Sequence, residues 1–228
     1  MTTVRVNASD AVSVQTAALI VGVHTTPDGL QAAPGAEGLD QALGGRLAET
    51  LGAVGFTGKA GELTKIPTFG ALPAPVLVAV GLGDRPEGDY DLETLRRAAG
   101  VAARSLAGTA DAAIALPAAT AEQVEAIALG GLLGAYDFSK YRTNGDRKPP
   151  VGELVILSGS SEADEAVRRA VTVAESVNLV RDLVNTPPSD LWPARFAEIA
   201  QEKGEAAGLS VEVLDEVALK EGGYGGII

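Results

Sequence analysis

Few residues of this chain have the type and spacing that enzyme chemistry requires. His24 is the only histidine and cysteine is absent, so metal sites built on imidazole or thiolate, cysteine nucleophiles and disulfides are all excluded. His24 follows an apolar run and precedes turn residues, and we interpret it as an ordinary residue at the end of a strand. A Ser-His-Asp triad would need His24 as its base, and no Gly-x-Ser-x-Gly turn accompanies it.

Gly81 and Gly83 follow the apolar run Pro75–Val80 and suggest the phosphate-binding turn of a dinucleotide site. The third glycine of that pattern is missing, because position 86 is occupied by Pro86. No Gly-Lys-Ser/Thr phosphate-binding motif occurs either. We therefore interpret the two glycines as the end of a strand and a turn with close backbone packing.

One local cluster of basic residues lies in the middle of the chain, and two tyrosines flank it. The cluster consists of Lys140, Arg142, Arg147 and Lys148, with Tyr136 and Tyr141 nearby. It could contact an acidic partner or a phosphate, but the segments 143–146 and 149–150 have the composition of loops, and we interpret it as a solvated loop. The formal net charge of -12 disfavours nucleic acids and anionic membranes as partners.

Carboxylates are plentiful, yet none forms the paired signature of general acid–base catalysis. Asp215 has the position of a helix N-cap, and Asp182 is placed to pair with Arg181, its neighbour in sequence. Asp190 lies in the same region, near the end of the predicted long helix. We therefore assign no catalytic, cofactor-binding or metal-binding residue to this chain.

The dominant pattern along residues 1–160 is a strand followed by a helix. Continuous apolar runs predict buried strands, and apolar spacings of three and four residues predict helices. Strands are expected at 17–23, 75–80, 112–116 and 153–157, edge strands at 4–6 and 63–66, and helices at 39–51, 91–106 and 120–136. Asp91 is expected to cap one helix, and Thr120 with Gln123 to form a capping box on another. The fold class expected is α/β, with a mixed, largely parallel sheet and helices on both faces.

A single long helix is predicted over 161–184, and the Asn185–Pro188 run ends it because proline has no amide donor. Beyond it we expect a helix over 193–208, a strand at 210–214, a short helix capped by Asp215 and an apolar strand starting at 226. Since a domain does not end inside a buried strand, truncation is expected. The expected organisation is an N-terminal α/β domain (1–160), a linker helix (161–184) and the truncated start of a second α/β domain (185–228).

The first residues lack the apolar segment of a signal peptide, and no apolar run reaches the length of a membrane span. The hydrophobic content of 46% is that of an ordinary globular protein. We therefore expect a cytoplasmic protein with no membrane partner.

The stretch from Arg181 to Leu191 reads RDLVNTPPSDL and directly follows the predicted long helix. It resembles a specific signature of the leucyl aminopeptidase family, the cytosol aminopeptidases. The next segments, VEVLD at 211–215 and GGYGG at 222–226, are similar to the continuation of that signature. Weaker marks of the family's N-terminal domain are matched at 80–83, 96–100 and 130–138, so that the resemblance covers the whole chain.

The resemblance implies a metal-dependent exopeptidase that removes N-terminal residues, often leucine, from peptides. It also implies two divalent metals, Zn or Mn, held by Asp, Glu and Lys side chains, and a homo-hexamer whose outer N-terminal domain has a macro-domain-like fold. The family's metal ligands and its catalytic lysine and arginine lie in motifs of the types GKGITFD and NTDAEGR, which are absent here. We therefore expect those residues beyond Ile228, and expect this chain to be inactive alone, to bind no metal and to have a structural or assembly role.

Two other functions follow from the same resemblance. A macro-domain-like fold suggests a stand-alone module that binds ADP-ribose or a related nucleotide, although the sequence lacks a clear phosphate-cradling loop. Some bacterial members of the family also bind DNA, and the net charge of -12 disfavours that function for this chain.

Overall fold

The computed structural model describes residues 2–143 and 147–227. The chain divides into two compact units, Met1–Leu179 and Val180–Ile228, and the first unit contains a seven-stranded sheet. Its strands are β1 (Thr3–Asn7), β2 (Ala18–Thr26), β3 (Gly29–Ala32), β4 (Leu63–Pro67), β5 (Val76–Asp84), β6 (Asp111–Ala115) and β7 (Glu153–Leu157).

The strands lie in the order β1-β7-β6-β2-β5-β4, and β3 also pairs with β2. The pairs along the row from β1 to β5 are parallel, whereas β3 on β2 and β4 on β5 are antiparallel. Residues 18–24 of β2 are all buried, as a strand covered on both faces requires. The predicted mixed, largely parallel sheet is therefore confirmed.

Helices cover both faces of this sheet. They are α1 (Leu39–Ala42), α2 (Leu47–Ala53), α3 (Leu92–Ser105), α4 (Ala121–Gly134) and α5 (Ala163–Asn185). Leu95 of α3 and Ile127 of α4 share one buried apolar cluster with Ile114 of β6. Leu51 of α2 belongs to a second cluster, with Leu19 of β2. The α/β fold class is confirmed, with a core built mainly from Ala, Val, Leu and Ile.

Two of the long helices begin with the caps that the sequence predicts. Asp91 accepts a hydrogen bond from the Thr94 amide at 3.1 Å, at the start of α3. Thr120 and Gln123 form a reciprocal capping box at the start of α4. Each cap satisfies backbone amides that have no partner within the first turn of a helix.

Helices α3 and α4 approach each other so closely that glycine is required where they cross. A Cβ atom added to Gly130 would lie 2.0 Å from the carbonyl oxygen of Arg96, and one added to Gly134 would lie 2.2 Å from that of Gly100. These are backbone atoms, which cannot move aside as a flexible side chain can. The contact between the two helices therefore depends on the absence of side chains.

The 23-residue helix α5 is buried along its first half only. Ala163, Ala166 and Ala170 join the apolar cluster that contains α3 and α4. Farther along, Val180 and Val184 are exposed, Val184 by 80%. The long helix that the sequence predicts is present, and the domain bounds 1–160, 161–184 and 185–228 stay a prediction.

The second unit contains α6 (Pro193–Ala206) and α7 (Glu216–Glu221). Asp215 caps α7, accepting hydrogen bonds from the amides of Val217 and Ala218 at 3.1 and 2.8 Å. The predictions of a strand at 210–214 and of a strand starting at 226 are wrong. Among the described residues of this unit, neither segment has a neighbouring strand. Alternating polarity predicts a strand only where a neighbouring strand completes its hydrogen bonds.

The first unit differs from the sequence expectation at three places. The helix expected over 39–51 is two short helices, because Gly44 and Gly45 between them have positive φ values of 70° and 74°. Strand β3 was not expected, and it pairs with β2 through the turn at Gly29. Strand β5 continues through Gly81 to Asp84 and does not end at Val80.

Candidate functional site

The two glycines near the end of β5 have structural roles. The amide of Gly81 donates to the carbonyl of Glu62 at 2.8 Å, and a Cβ atom at Gly81 would lie 2.0 Å from the carbonyl oxygen of Lys59. Gly83 has a φ of 81° and donates its amide to the carbonyl of Gly58 at 3.0 Å. The interpretation as close backbone packing is confirmed, and the dinucleotide loop is not supported.

His24 lies inside β2 and is 2% exposed. A hydrogen bond of 2.5 Å joins its Nδ1 to the hydroxyl of Tyr90, whereas its Nε2 has no hydrogen-bond partner among the described residues. Burial lowers the pKa of His24, the positive charge of Arg85 lowers it further, and the side chain of Gln31 opposes both. His24 therefore lies near the end of β2, as the sequence predicts, and its buried side chain has a structural role in the bond with Tyr90.

The lowered pKa of His24 predicts that stability falls in mild acid. The unfolded chain takes up a proton near pH 6.5, which the folded imidazole resists, so the stabilisation is complete above pH 6.5 and is lost as the pH falls below it. For one proton the slope is at most about 1.4 kcal/mol per pH unit. Urea unfolding at pH 7.5, 6.5 and 5.5 measures it.

The matched variant for that experiment is His24→Asn, which keeps a hydrogen-bond acceptor for Tyr90 and does not titrate. Its stability should be nearly level between pH 7.5 and 5.5. The carboxylate of Glu93 does not affect this comparison, because its ion pairs with Arg96 and Arg97 depress its pKa to about 2, so that it changes stability only in more acidic solutions. An equal slope in His24→Asn contradicts the assignment.

A cleft of about 380 Å³ lies where the strand order of the sheet reverses. Strand β5 lies on one side of β2, whereas β6 and then β7 lie on its other side. The loops that follow β1, β3, β5, β6 and β7 line the cleft. Open α/β sheets bind ligands at such a reversal, beyond the carboxyl ends of the strands, and we call this cavity the switch-point cleft.

The switch-point cleft has acidic walls. Its charged lining residues are Asp10, Glu37 and Asp89, and no lysine, arginine or histidine of the described part of the chain lines it. At the start of α4, Gln123 Oε1 accepts from the amides of Ala119 and Thr120, at 2.9 and 3.2 Å. A phosphate would therefore meet repulsive charges and amides that already have partners. ADP-ribose binding, which requires a phosphate cradle, is not favoured.

A second, wider depression lies at the ends of β2 and β5. It has a volume of about 630 Å³ and is lined by the β2–β3 turn and by residues 84–87. Thr25 Oγ1 donates to Asp84 Oδ1 at 2.5 Å across these two strands. That bond holds the strand ends together. Among the described residues that line this depression, Arg85 is the one cation.

Three of the four residues in the predicted basic cluster contact residues close to them in the structure. Arg147 forms an ion pair with Asp137, and the Lys140 ammonium lies 5.2 Å from the centre of the Tyr141 ring. A Cβ atom at Gly108 would lie 3.0 Å from the side chain of Lys148, so that lysine packs along the α3–β6 turn. Part of the predicted loop, residues 144–146, lies outside the described residues.

Within residues 2–143 and 147–227, no group of three or more His, Cys, Asp or Glu side chains could hold a metal ion. Near the junction, Asp215 is a helix cap, and Asp190 accepts a hydrogen bond from the hydroxyl of Ser189 at 3.3 Å. The described residues therefore do not fit a two-metal centre. In the same residues, no helix has the length and apolar character of a membrane span.

The chain contains an α/β unit, Met1–Leu179, and a second unit, Val180–Ile228. Residues 20–145 match the model of the N-terminal domain of the cytosol aminopeptidase family, and residues 178–228 match the model of its catalytic domain. The chain therefore belongs to the cytosol aminopeptidase family.

Curated relatives agree with that assignment. A probable cytosol aminopeptidase of Streptomyces avermitilis is 46% identical over 100% of this chain and 48% of its own length. A probable cytosol aminopeptidase of Rhodococcus opacus is 42% identical over 92% of this chain and 42% of its own length. The chain thus spans about half the length of the curated relatives that it matches.

Solved structures share the fold. A mutant leucine aminopeptidase from tomato superposes with a TM-score of 0.78 at 22% identity, over 97% of this chain and 46% of that chain. The bottromycin maturation enzyme BotP in complex with Mn superposes with a TM-score of 0.69 at 25% identity, over 90% of this chain and 40% of that chain.

Sequence reasoning missed the residues of the switch-point cleft. Asp10, Tyr90 and Ala118 are far apart in the sequence, and no motif joins them. The one available signal is positional, since the lining loops follow the apolar runs at 112–116 and 153–157. The carboxyl ends of neighbouring parallel strands lie at the same edge of a sheet.

Proposed function

We propose that this chain forms the N-terminal region of a metal-dependent aminopeptidase, and that the complete enzyme releases N-terminal amino acids from peptides. The supporting observation is that both family models match in order along one chain. In this proposal the Met1–Leu179 unit has a structural or assembly role and contributes no catalytic residue.

The proposed organisation is an N-terminal domain over 1–160, a linker helix over 161–184 and the first part of the catalytic domain over 185–228. The match of the catalytic-domain model from residue 178 onward supports a boundary near the end of α5. The division of the chain between Leu179 and Val180 is consistent with the same region.

The complete enzyme is proposed to use two divalent metals, Mn or Zn, and to assemble as a homo-hexamer in the cytoplasm. Support for the metal comes from the related enzyme BotP, whose structure contains Mn. Two metals would supply Lewis-acid activation of a water molecule and of the scissile carbonyl. Since the described residues contain no group of three or more His, Cys, Asp or Glu side chains that could hold a metal ion, we assign this chemistry to other residues of the complete enzyme.

The proposal is tested with a leucine anilide substrate and added manganese. The purified 228-residue chain is expected to release no anilide above the buffer rate. A chimera in which residues 1–228 replace the matching first half of the Streptomyces avermitilis relative is expected to hydrolyse the anilide at a rate within about tenfold of that relative, which corresponds to roughly 1.4 kcal/mol in the barrier.

Two results contradict the proposal. Manganese-dependent hydrolysis by the chain alone would place catalytic residues within it. A chimera that folds and assembles like the relative but is inactive would show that this chain does not serve the family's role. Size-exclusion chromatography of both proteins provides the assembly control.

A further inference from the structure

The connection between β5 and α3 borders both cavities at this edge of the sheet. Residues 85–87 line the wider depression, and the three residues that follow them, 88–90, line the switch-point cleft. We call residues 85–90 the strap. Its first five residues are exposed or half-exposed, whereas Tyr90 is buried. A movement of this one segment therefore changes the shape of both cavities.

The strap is attached to the sheet at its two ends. At the first end, the amide of Arg85 donates a hydrogen bond to the carbonyl of Thr25 at 3.0 Å. At the other end, the ring of Tyr90 belongs to the apolar cluster of α3, and its hydroxyl is joined to Nδ1 of His24 by a hydrogen bond of 2.5 Å. Between these ends, residues 86–89 have no hydrogen bond to any described residue.

The attachment point on β2 includes the only histidine of the chain. Histidine is the side chain whose ordinary pKa lies near neutral pH. The imidazole of His24 is 2% exposed, and its Nε2 atom has no hydrogen-bond partner among the described residues. In the protonated ring both nitrogens are donors. A proton on His24 therefore creates a buried charge whose Nε2–H group lacks an acceptor, and such a group is costly without water.

The groups around His24 come from three segments. On β3 the uncharged Gln31 lies opposite it and favours the proton. On β5 the paired residue is Gly83, which has no side chain. The strap contributes the phenol of Tyr90 and the guanidinium of Arg85, whose positive charge opposes the proton. The repelling charge thus lies on the strap itself.

Water can reach a protonated ring only if one of these segments moves aside. Strand β2 is paired at His24 with β3 on one side and with β5 on the other, so a displacement of any of the three strands breaks a ladder of hydrogen bonds. The strap is exposed and attached only at its ends. Local opening of such a segment costs far less free energy than opening of a sheet.

We propose that His24 is a proton-sensitive latch for the strap. With the neutral imidazole, the strap lies on β2. When His24 takes up a proton, residues 85–89 move away from β2 about Tyr90 as a pivot, water reaches the ring, and both cavities change shape together. The latch does not depend on peptide hydrolysis, so its failure leaves the proposed function unchanged.

The single histidine makes the latch observable by NMR in the 228-residue chain. The imidazole C2–H signal of His24 reports its protonation between pH 7.5 and 5, and the amide signal of Gly88 is expected to shift with the same midpoint. Below pH 6.5, the ordinary pKa of histidine, protection of the Arg85 amide against hydrogen exchange should fall by up to about tenfold per pH unit, because opening binds one proton. The Val78 amide, at the centre of β5, should stay far better protected.

The variant His24→Asn separates the latch from other effects of acid. Asparagine keeps a hydrogen-bond acceptor for Tyr90 and does not titrate, so the Gly88 signal should stay level over the same pH range. The strap carboxylates of Glu87 and Asp89 remain in this variant. Any shift that they cause by themselves therefore appears in it.

A second variant, Arg85→Gln, tests the repulsion and changes an exposed residue. Removal of the positive charge should move the midpoint of the His24 signal towards pH 6.5, since that charge lowers the pKa of His24. The matched control is Arg104→Gln, which removes one positive charge from an exposed position in the last turn of α3. It should leave the midpoint unchanged.

Three results overturn the proposal. Protonation of His24 without a change at Gly88 and at the Arg85 amide shows that the ring accepts its proton with the strap in place. An equal shift of the Gly88 signal in His24→Asn assigns the movement to the carboxylates. A His24 signal that does not titrate before the whole sheet unfolds shows that the latch does not open in the folded protein.

Discussion

Replacing Gly130 with alanine is expected to lower the free energy of unfolding of the Met1–Leu179 unit by at least about 3 kcal/mol. The added Cβ atom would lie 2.0 Å from the carbonyl oxygen of Arg96 and 2.8 Å from its carbonyl carbon. Helices α3 and α4 must then separate, and the apolar cluster between them and the sheet must open. Urea unfolding followed by circular dichroism measures the change.

The matched control is Gly52→Ala in helix α2. A Cβ atom at Gly52 would meet no atom within 4 Å, so the substitution adds no steric conflict. Alanine in a helix is more stable than glycine by roughly 0.5–1 kcal/mol, and this variant should be slightly more stable than the parent chain. A small and equal effect of the two variants would show that the α3–α4 contact tolerates a side chain.

Hydrogen exchange should divide the chain sharply into two parts. In the isolated chain, amides of α6 and α7 are expected to exchange at nearly the rates of an unfolded peptide. No residue in the described part of the Val180–Ile228 unit is buried, and local opening of such a segment costs almost no free energy. Amides in the centre of β2 and β5 are expected to exchange at least about a thousandfold more slowly, because they open only with the whole sheet.

The exposed apolar residues of the second unit allow hydrogen exchange in the isolated chain to be compared with exchange in the chimera. Trp192, Phe196 and Leu209 are more than half exposed, and Ile227 is 72% exposed, an unusual state for large apolar side chains outside an interface. In the chimera with the Streptomyces avermitilis relative, the amides of α6 are expected to become protected. Protection of α6 already in the isolated chain would contradict the low stability inferred here.

The sequence predicted most reliably those elements whose signals are local. The starts of two helices could be predicted from Asp91 and from the Thr120–Gln123 capping box, because capping depends on residues three positions apart. The buried strands were equally clear, since apolar runs such as Val76–Val80 have no other stable position in an α/β protein. These features follow from neighbouring residues and need no knowledge of distant ones.

The features that the sequence did not predict depend on partners elsewhere in the chain. Residues 210–214 alternate like a strand but have no strand beside them in the described structure. His24 is hydrogen-bonded to Tyr90, which is 66 positions away. The need for glycine at Gly81 arises from Lys59, in a loop that the sequence does not relate to β5. The switch-point cleft combines five loops, and only the sheet order brings them together.

The pairing of β1 with β7 has a consequence during synthesis of the protein. Thr3 of β1 lies beside Glu153 of β7. Strand β1 can therefore pair only after β7, the last strand of the sheet, has been synthesised. At about 5–20 residues per second, the 150 residues that separate Thr3 from Glu153 take roughly 8–30 s to be made. During that interval the apolar side chains of β1 have no sheet to join, and early release of the nascent chain before residue 157 would leave the sheet without its outer edge.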